Sequence, residues 1–244
     1  MPDRDDFPVV LDAVIISDIH LGADNCQAKA CVDFLQNLLD NTPRTQRLII
    51  NGDVFDSIDF RRLKKTHWKV LSQIRHLSDK IETVWIAGNH DGSADIISHL
   101  LGVEVVEQYI LESGPRKLLI VHGHQFDRFI EEHPVLTAVA DAAYWVLQKI
   151  DRSHYVSRLA KRKSKVFVRC IERIRSGARN LAARQACDGV ICGHTHHAES
   201  LDAAPDQPVA YYNSGCWTEN PSTYLTVAEG RVELLRYEPA LVEA

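Results

Sequence analysis

The amino-acid sequence predicts an α/β fold with largely parallel strands, in a single domain that spans residues 1–244. Strand and helix signals alternate through the first half of the chain, which is typical of helices packed on a parallel sheet. Five apolar runs rich in Val, Ile and Leu are each followed at once by polar residues, as expected of strands that end at a functional edge. With 45% hydrophobic residues in 244, the chain can bury a sizeable core.

The first half of the chain contains the alternating elements. Cys31, Phe34, Leu35 and Leu38 recur at helical spacing and predict the first helix. Ser93 fits the N-cap of a short third helix. Strands are predicted near residues 9–17, 47–51, 82–87, 103–112 and 117–122, and helices near residues 25–39, 60–78 and 93–100.

The strand signal disappears between about residues 125 and 187. Apolar residues recur there at helical spacing, first from Val135 to Ile150 and then from Val156 to Ile174. The segment is therefore predicted to be a helical insertion at about residues 125–187. Strand signals return near residues 188–192, 208–213, 223–228 and 231–237.

Composition argues against several classes of protein. Residues Met1 to Asp6 lack the apolar region of a signal peptide, and no apolar stretch approaches the about 18 residues of a membrane span. None of the six cysteines forms a Cys-x-x-Cys pair, so we expect reduced structural thiols in a cytoplasmic protein. Five histidines without a partner motif are expected at the surface: His67, His76, His99, His133 and His154.

Charge is distributed unevenly along the chain. Residues Lys149 to Arg184 include 12 basic and two acidic residues, a net charge of +10, and because the whole chain carries −5 the remainder carries −15. Such a separation usually marks a surface that meets a polyanion or an anionic membrane.

Within this segment five basic residues form one stripe along a predicted helix. The stripe is either a solvated face of a packed helix or a surface that docks a phosphate-bearing or membrane-embedded substrate. Lys163 falls on the apolar side, so either the helix breaks near residues 162–164 or Lys163 points inward. The stripe consists of Arg158, Arg162, Lys165, Arg169 and Arg173.

Five short blocks of metal-type ligands follow the predicted strands. Aspartate, histidine and asparagine suit Mn²⁺, Fe²⁺ or Zn²⁺ better than Ca²⁺ or Mg²⁺ alone, and seven ligands exceed the need of one octahedral ion. Two ions that share a carboxylate would use the full set, and they can hold a bridging hydroxide that attacks a phosphoryl group in line. The blocks are Asp18-Ile-His20, Gly52-Asp53-Val-Phe-Asp56, Gly88-Asn89-His90-Asp91, His122-Gly-His124 and Gly193-His194-Thr-His196.

In this order the five blocks resemble the calcineurin-like metallophosphoesterases, over about residues 12–217. The resemblance implies an α-β-β-α sandwich of two mixed sheets with a helical insertion. It also implies two divalent metal ions, Mn²⁺ first and Fe²⁺ or Zn²⁺ as alternatives, in a phosphohydrolase. It places Asp18, His20 and His196 on the first ion, Asn89, His122 and His194 on the second, and Asp53 between them.

The same resemblance implies roles beside the ligands. His90 is similar to the family histidine that hydrogen-bonds the developing charge or the leaving oxygen, so it is the candidate catalytic acid. Asp56 and Asp91 are expected to orient imidazoles or loops behind the ligands. His124 and His197 are expected to have supporting roles or to lie at the rim of the site.

Within the family, the segment from Ser17 to Gly22, the His122-Gly123 pair and the chain length are similar to the UDP-2,3-diacylglucosamine diphosphatases of lipid A biosynthesis. That branch carries a helical cap over its metals, which implies an amphiphilic nucleotide-lipid substrate and peripheral contact with the inner face of the cell membrane. The implied substrate contacts are Asn89, His90, Asp127, Ser164, Lys165 and His194. The chain departs from the branch by having His90 in place of Arg, and Val168 and Ile171 in place of Asn and Lys.

Two other functions are compatible with parts of the sequence. A phosphodiesterase or nuclease would use the basic stripe to hold nucleotides or nucleic acid, although aromatic residues for base stacking are only 7% of the chain. A non-catalytic scaffold on the same fold would typically have lost ligands, whereas all seven are present here.

Overall fold

The computed structural model of the chain describes residues 10–40, 44–127 and 165–238. The strands in these ranges are Ala13–Ile16 (β1), Arg47–Asn51 (β2), Glu82–Ile86 (β3), Glu104–Val106 (β4), Gln108–Ser113 (β5), Arg116–Val121 (β6), Gly189–Cys192 (β7), Glu199–Leu201 (β8), Ala210–Asn213 (β9), Ser222–Ala228 (β10) and Arg231–Tyr237 (β11). The α-helices are Ala28–Leu39 (α1), Lys65–Ser78 (α2), Ala94–Leu101 (α3) and Lys165–Arg184 (α4), and 3₁₀ turns cover Phe60–Arg62 and His124–Phe126.

The strands form two mixed sheets, which confirms the expected fold class. Sheet 1 has the order β11-β10-β1-β2-β3-β4 and is parallel from β1 to β4. Sheet 2 has the order β5-β6-β7-β9-β8, with β6, β7 and β9 parallel and an antiparallel strand at each edge. The parallel strands of each sheet therefore end at a common edge, where polar groups can converge.

Alternation along the strands produces three apolar layers. Val14 and Ile16 of β1 pack with helices α1, α2 and α3, whereas Ala13 and Ile15 pack between the two sheets. On the far side of sheet 2, Ala178 and Ala182 of α4 pack against β6, β7 and β9. The layer order is α-β-β-α, and it fixes the strand ends that carry the polar blocks.

Several elements differ in detail from the expectation. The helix predicted near residues 60–78 is a 3₁₀ turn followed by α2, and the strand predicted near residues 103–112 divides into β4 of sheet 1 and β5 of sheet 2. The short edge strand β8 was not predicted. His67 is buried rather than exposed, because its Nδ1 accepts a hydrogen bond from the Lys64 N–H at the start of α2. Ser93 occupies the N-cap of α3 without a side-chain hydrogen bond to the helix.

Most of the predicted insertion lies outside the described residues, together with Arg158, Arg162, Lys163 and Ser164. Its C-terminal part is α4, which forms the outer helical layer on sheet 2. The boundaries of the insertion and the single-domain assignment stay predictions.

Two further features concern the cysteines and the helices. All six cysteines are free thiols. Among residues 10–40, 44–127 and 165–238, no helix combines the length and apolar character needed to cross a membrane.

Candidate metal centre

Both sheets bring metal-type side chains to the edge where their parallel strands end. Sheet 1 contributes residues after β1 and β2, and sheet 2 contributes residues after β6 and β7. We define the first cluster as Asp18, His20 and His196, and the second cluster as Asp53, His122 and His194. Within each cluster the candidate ligand atoms lie within 4.8 Å of one another, and each cluster takes side chains from both sheets.

The first cluster has ligand atoms at the spacing that a shared ion requires. His20 Nε2 lies 3.1 Å from His196 Nε2, which lies 3.2 Å from Asp18 Oδ1. Ligands bound about 2.1 Å from one ion are separated by about 3 Å, so these distances fit a single divalent ion. Two imidazoles and a carboxylate are also donors that Mn²⁺, Fe²⁺ and Zn²⁺ accept.

The second cluster contains an imidazole that is prepared for metal binding. His122 is fully buried, and its Nδ1 donates to the backbone carbonyl of Asn51 at 2.7 Å. This bond makes Nε2 the nitrogen that carries the lone pair once the ring is neutral; Nε2 has no hydrogen-bond partner among the described residues and lies 3.2 Å from Asp53 Oδ2. A buried nitrogen of this kind fits a metal ligand, because burial without a partner otherwise costs free energy.

Asp53, a member of the second cluster, also faces the first cluster. Its Oδ2 is 3.2 Å from His122 Nε2 of the second cluster and 3.9 Å from His20 Nε2 of the first. Its Oδ1 accepts the backbone N–H of His90 at 2.9 Å. This is the position expected of a carboxylate that touches two ions.

A sequence profile of the calcineurin-like phosphoesterases matches residues 12–198, which include all seven predicted ligands. The chain belongs to the calcineurin-like phosphoesterase family. Members of this family are metal-dependent, and among the described residues two clusters of side chains fit such ions.

Several solved structures are similar to this chain at low sequence identity. An archaeal phosphodiesterase is 14% identical, with 92% of this chain and 98% of that chain covered and a TM-score of 0.50. The phosphoesterase YfcE from E. coli is 14% identical, with 93% and 99% covered and a TM-score of 0.47. Vps29 from Entamoeba histolytica, solved with Zn²⁺, is 16% identical, with 92% and 97% covered and a TM-score of 0.42. A search of curated proteins found no match.

The loops that carry the predicted ligands have an unusual backbone. Five of the seven predicted ligands have a positive φ between 50° and 63°, a region that residues other than glycine seldom adopt. Left-handed residues of this kind concentrate at functional sites, where the surrounding structure holds them in place. The five residues are Asp18, His20, Asp53, His194 and His196.

Two glycines allow the ligand loops to approach one another. A Cβ on Gly52 would lie 2.4 Å from His122 Nδ1, and a Cβ on Gly88 would lie 2.2 Å from the Asp53 backbone nitrogen. Gly52 also has a φ of +82°. A side chain on Gly52 would therefore push against His122, and one on Gly88 would push against Asp53.

Asp91 anchors the loop that carries Asp53. Its carboxylate is buried and accepts five N–H groups, from the backbone of Asp53, Val54, Phe55 and Gly88 and from the Trp85 indole. Burial raises the pKa of Asp91, and these N–H donors oppose that effect by stabilising the anion. The arrangement agrees with the expected loop-orienting role.

Asp56 lies beside the first cluster. Its Oδ1 is 3.8 Å from His20 Nδ1, on the opposite side of the ring from the nitrogen that faces His196. Carboxylates behind metal-binding histidines orient the ring and increase its basicity. The partner of the other Asp56 oxygen is Arg62, which no motif in the sequence predicted.

His90 and Asn89 lie in the exposed loop after β3. His90 Nδ1 is 3.0 Å from the Asp56 carbonyl, and the ring centroids of His90 and His20 are 5.2 Å apart. A carbonyl only accepts, so Nδ1 carries the hydrogen and Nε2 is the nitrogen left for substrate. The side chain of Asn89 is exposed, and its roles as ligand and substrate contact stay predictions.

The remaining predicted substrate contacts have different positions. Asp127 Oδ2 is 3.1 Å from His194 Nε2, so this carboxylate is paired with a proposed ligand. Ser164 lies outside the described residues. Lys165 is the first residue of α4, and nothing about its side chain is described. The substrate-binding role of all three stays a prediction.

Charges within the metal-free site shift the pKa values of its imidazoles. Burial alone would lower the pKa of His122, but the adjacent Asp53 and Asp18 carboxylates raise it to about 9. At His196, burial also acts to lower the pKa, but Cys216 and Asp18 outweigh it and raise the pKa to about 10. The pKa of His20 falls to about 4 because the ring is buried and lies beside His196. In the metal-free site, the protons held by His122 and His196 thus offset the negative charge of the carboxylates, which bound metal ions would otherwise offset.

The other two histidines of the blocks border the site. His124 Nδ1 is buried without a hydrogen-bond partner among the described residues, and its ring centroid is 5.5 Å from that of His122. Burial, together with His122 and His194, lowers the pKa of His124 to about 4. His197 lines a small cavity against α4, whose other lining residues are Phe167, Val168, Ile171, Glu172 and Arg175.

Proposed function

We propose that the chain is a two-metal phosphohydrolase that cleaves a phosphoester or pyrophosphate bond. The observation that carries the proposal is the position of Asp53 between two clusters, each with two imidazoles within reach of a carboxylate. Asp18, His20 and His196 would hold one ion, His122, His194 and Asn89 the other, and Asp53 both. Mn²⁺ is the proposed metal, with Fe²⁺ and Zn²⁺ as alternatives. Bound there, two divalent ions would activate a water as nucleophile and neutralise charge on the phosphoryl oxygens.

Hydrogen bonds within the protein fix the tautomer of His122 and the orientation of the Asp53 carboxylate. The bond from His122 Nδ1 to the Asn51 carbonyl selects the tautomer whose lone pair is on Nε2. Asp53 Oδ1 is held by the His90 N–H, which keeps Oδ2 turned toward both clusters. These groups are positioned before substrate arrives, so little reorganisation is needed during the reaction.

His90 is the proposed general acid. The Asp56 carbonyl holds its Nδ1–H, so a second proton, carried on Nε2 of the doubly protonated ring, is the one that passes to the leaving oxygen and leaves the ring neutral. Exposure of the ring at the rim of the site supports this role, because substrate must reach it. No described serine, threonine or cysteine is needed as nucleophile.

For the substrate we propose an amphiphilic phosphate compound of the UDP-2,3-diacylglucosamine type. A cavity lies between α4 and His197, which directly follows the proposed ligand His196. It supports an apolar group in the substrate, because Phe167, Val168 and Ile171 form part of its wall. Arg169 and Arg173 are exposed on α4, which supports contact with an anionic membrane through the basic stripe. A phosphodiesterase or nuclease acting on nucleotides or nucleic acid is the alternative.

The decisive experiment is a substrate panel with metal-free and metal-loaded chain. The chain is stripped with chelator, reloaded with Mn²⁺, Fe²⁺ or Zn²⁺, and assayed on an aryl phosphate, a bis-aryl phosphodiester, UDP-2,3-diacylglucosamine and single-stranded DNA. We expect hydrolysis only after reloading, with UDP-2,3-diacylglucosamine cleaved fastest. Metal-dependent cleavage of DNA or the diester alone would select the nuclease, and a loaded chain inactive on all four would indicate a scaffold.

The basic stripe has its own test. Replacing Arg169 and Arg173 with Gln should lower hydrolysis of a lipid phosphate in anionic vesicles, because each basic residue near such a surface contributes about 1 kcal/mol. Hydrolysis of a soluble aryl phosphate should not change, and added salt should reduce the difference. Arg231→Gln, an exposed arginine on β11, is the matched control. Equal losses on both substrates would show that the stripe supports the fold instead.

A further inference from the structure

Arg62 connects the two loops of sheet 1 that carry proposed ligands. Its Nη1 lies 2.5 Å from Asp56 Oδ2 and 3.3 Å from Ser57 Oγ, in the loop that carries Asp53. Its Nη2 donates to the carbonyl of Gly22 at 3.2 Å, in the loop that carries Asp18 and His20. One guanidinium therefore contacts both loops, which a planar group with five donors is suited to do.

The two loops already run side by side as extensions of β1 and β2. The Leu21 N–H donates to the Val54 carbonyl at 2.6 Å, and the Asp56 N–H donates to the Leu21 carbonyl at 3.1 Å. Arg62 adds side-chain contacts at the open end of this ladder, where the backbone bonds stop. Its position keeps the Asp56 carboxylate on the side of the loop that faces His20.

Asp56 divides its two oxygens between Arg62 and His20. Oδ2 faces the guanidinium, and Oδ1 lies 3.8 Å from His20 Nδ1. The opposite ring nitrogen of His20 faces His196 and Asp18. The order Arg62, Asp56, His20 thus leads from the protein surface to the first cluster.

We propose that Arg62 is a positioning residue for the first cluster, which it serves by holding Asp56 against His20 and by tying the Gly22 and Ser57 loops together. The inference rests on the proposed metal site and concerns metal affinity in addition to activity. The second cluster has separate supports, because Asp91 holds the Asp53 backbone and Asn51 holds His122. Loss of Arg62 should therefore weaken one of two binding steps.

A purely electrostatic role and a positioning role for Arg62 predict opposite changes in metal affinity when the arginine is removed. By charge alone, loss of Arg62 would remove the positive charge that offsets the Asp56 carboxylate. The local potential would become more negative, and a divalent cation nearby would bind more tightly. By positioning, loss of Arg62 would free Asp56 and His20 and weaken binding, by roughly tenfold as is usual for groups behind metal ligands. The sign of the change in affinity decides between the two.

The test is titration of the metal-free, full-length chain with Mn²⁺ in a calorimeter, for wild type, Arg62→Met and Arg62→Lys. We expect Arg62→Met to weaken one binding step roughly tenfold and to leave the other within about twofold. Arg62→Lys keeps the charge and can contact Asp56, but a single ammonium cannot replace the fork that spans both loops, so we expect partial recovery. Arg61→Met is the matched control, since the neighbouring Arg61 is exposed and pairs with Asp59.

A double-mutant cycle tests the path through Asp56. Asp56→Asn should weaken the same step, and the double variant with Arg62→Met should be little weaker than either single variant, because both remove one support. Unchanged or tighter Mn²⁺ binding in Arg62→Met, or full additivity, would overturn the inference. A wild-type chain that binds two ions without hydrolysing any phosphate ester would instead overturn the proposed function and leave this inference standing.

Discussion

The two candidate metal clusters have the same chemical composition but are held in place by different means. In the second cluster, His122 follows a strand directly and bonds to a backbone carbonyl, and five buried N–H donors fix the Asp91 carboxylate behind Asp53. In the first cluster, all three residues have left-handed backbone, and the support behind His20 is a surface ion pair.

The difference shows how one edge of a sandwich can provide two unlike sites from the same ligands. Backbone bonds and buried carboxylates are insensitive to salt, whereas an ion pair with a 45% exposed arginine side chain is screened by solvent and ions. We therefore expect the second cluster to keep its geometry without metal and the first to depend more on the ion itself.

The strongest test of the comparison removes the residue that the clusters share. Asp53→Ala should abolish hydrolysis and leave at most one weakly bound metal, because the carboxylate lies within reach of both clusters. Metal content by mass spectrometry and turnover of an aryl phosphate measure the two effects. Asp24→Ala, a fully exposed acidic residue, is the control. Near-normal turnover with two bound ions in this variant would show that Asp53 does not bridge the two ions.

The second test addresses the buried support of the second cluster. Asp91→Asn would turn an amide NH₂ toward N–H donors and should lower the free energy of unfolding by about 3 kcal/mol or more. Urea denaturation of the metal-free chain measures the loss, with the exposed Asp95→Asn as control. If Asp91→Asn were as stable as wild type, the buried carboxylate would not stabilise the second cluster as proposed. The stated difference between the supports of the two clusters would then be wrong.

The third test separates chemistry from metal binding at the rim. His90→Asn should keep both ions and lower kcat by roughly 10²-fold, because an amide cannot deliver the proton. The loss should be smaller for substrates with good leaving groups, which do not need protonation. A variant without its metals would show that His90 belongs among the ligands.

The smallest expected effect is the pH dependence of the metal-free chain. The raised pKa values of His122, about 9, and His196, about 10, mean that the folded chain holds these protons more tightly than the unfolded chain, whose histidines titrate near 6.5. This stability is fully present below about pH 6.5 and is lost as pH rises through 9 to 10. Thermal melts of chelator-treated chain should show a decline of a few degrees.

The control for this decline is a variant of one of the two histidines. His122→Asn cannot bind the proton, so its melting temperature should fall less between neutral and alkaline pH than that of wild type. An equal decline in both proteins would assign it to other groups. Loading with metal should also reduce the decline, because bound ions replace the protons.

Sequence patterns predicted which side chains gather at the strand ends, because apolar runs locate strand ends and parallel strands bring those ends together; that these side chains bind metal stays a prediction. Asp18, His20, Asp53, His122, His194 and His196 are grouped in the structure as this reasoning expects. Arg62 and the pairing of Asp127 with His194 could not be predicted, because such contacts join residues with no periodic relation in the sequence. The burial of His67 was missed for a similar reason, since a local capping bond places it.

The origin of the ligands in both sheets has a consequence for the rate at which the protein unfolds. Each cluster joins a loop of sheet 1 to a loop of sheet 2, so a bound ion would act as a cross-link across the apolar layer between the sheets. Separation of the sheets would then have to wait for release of the ions. The lifetime of the loaded chain against proteases would consequently be set by metal dissociation more than by the packing of the core.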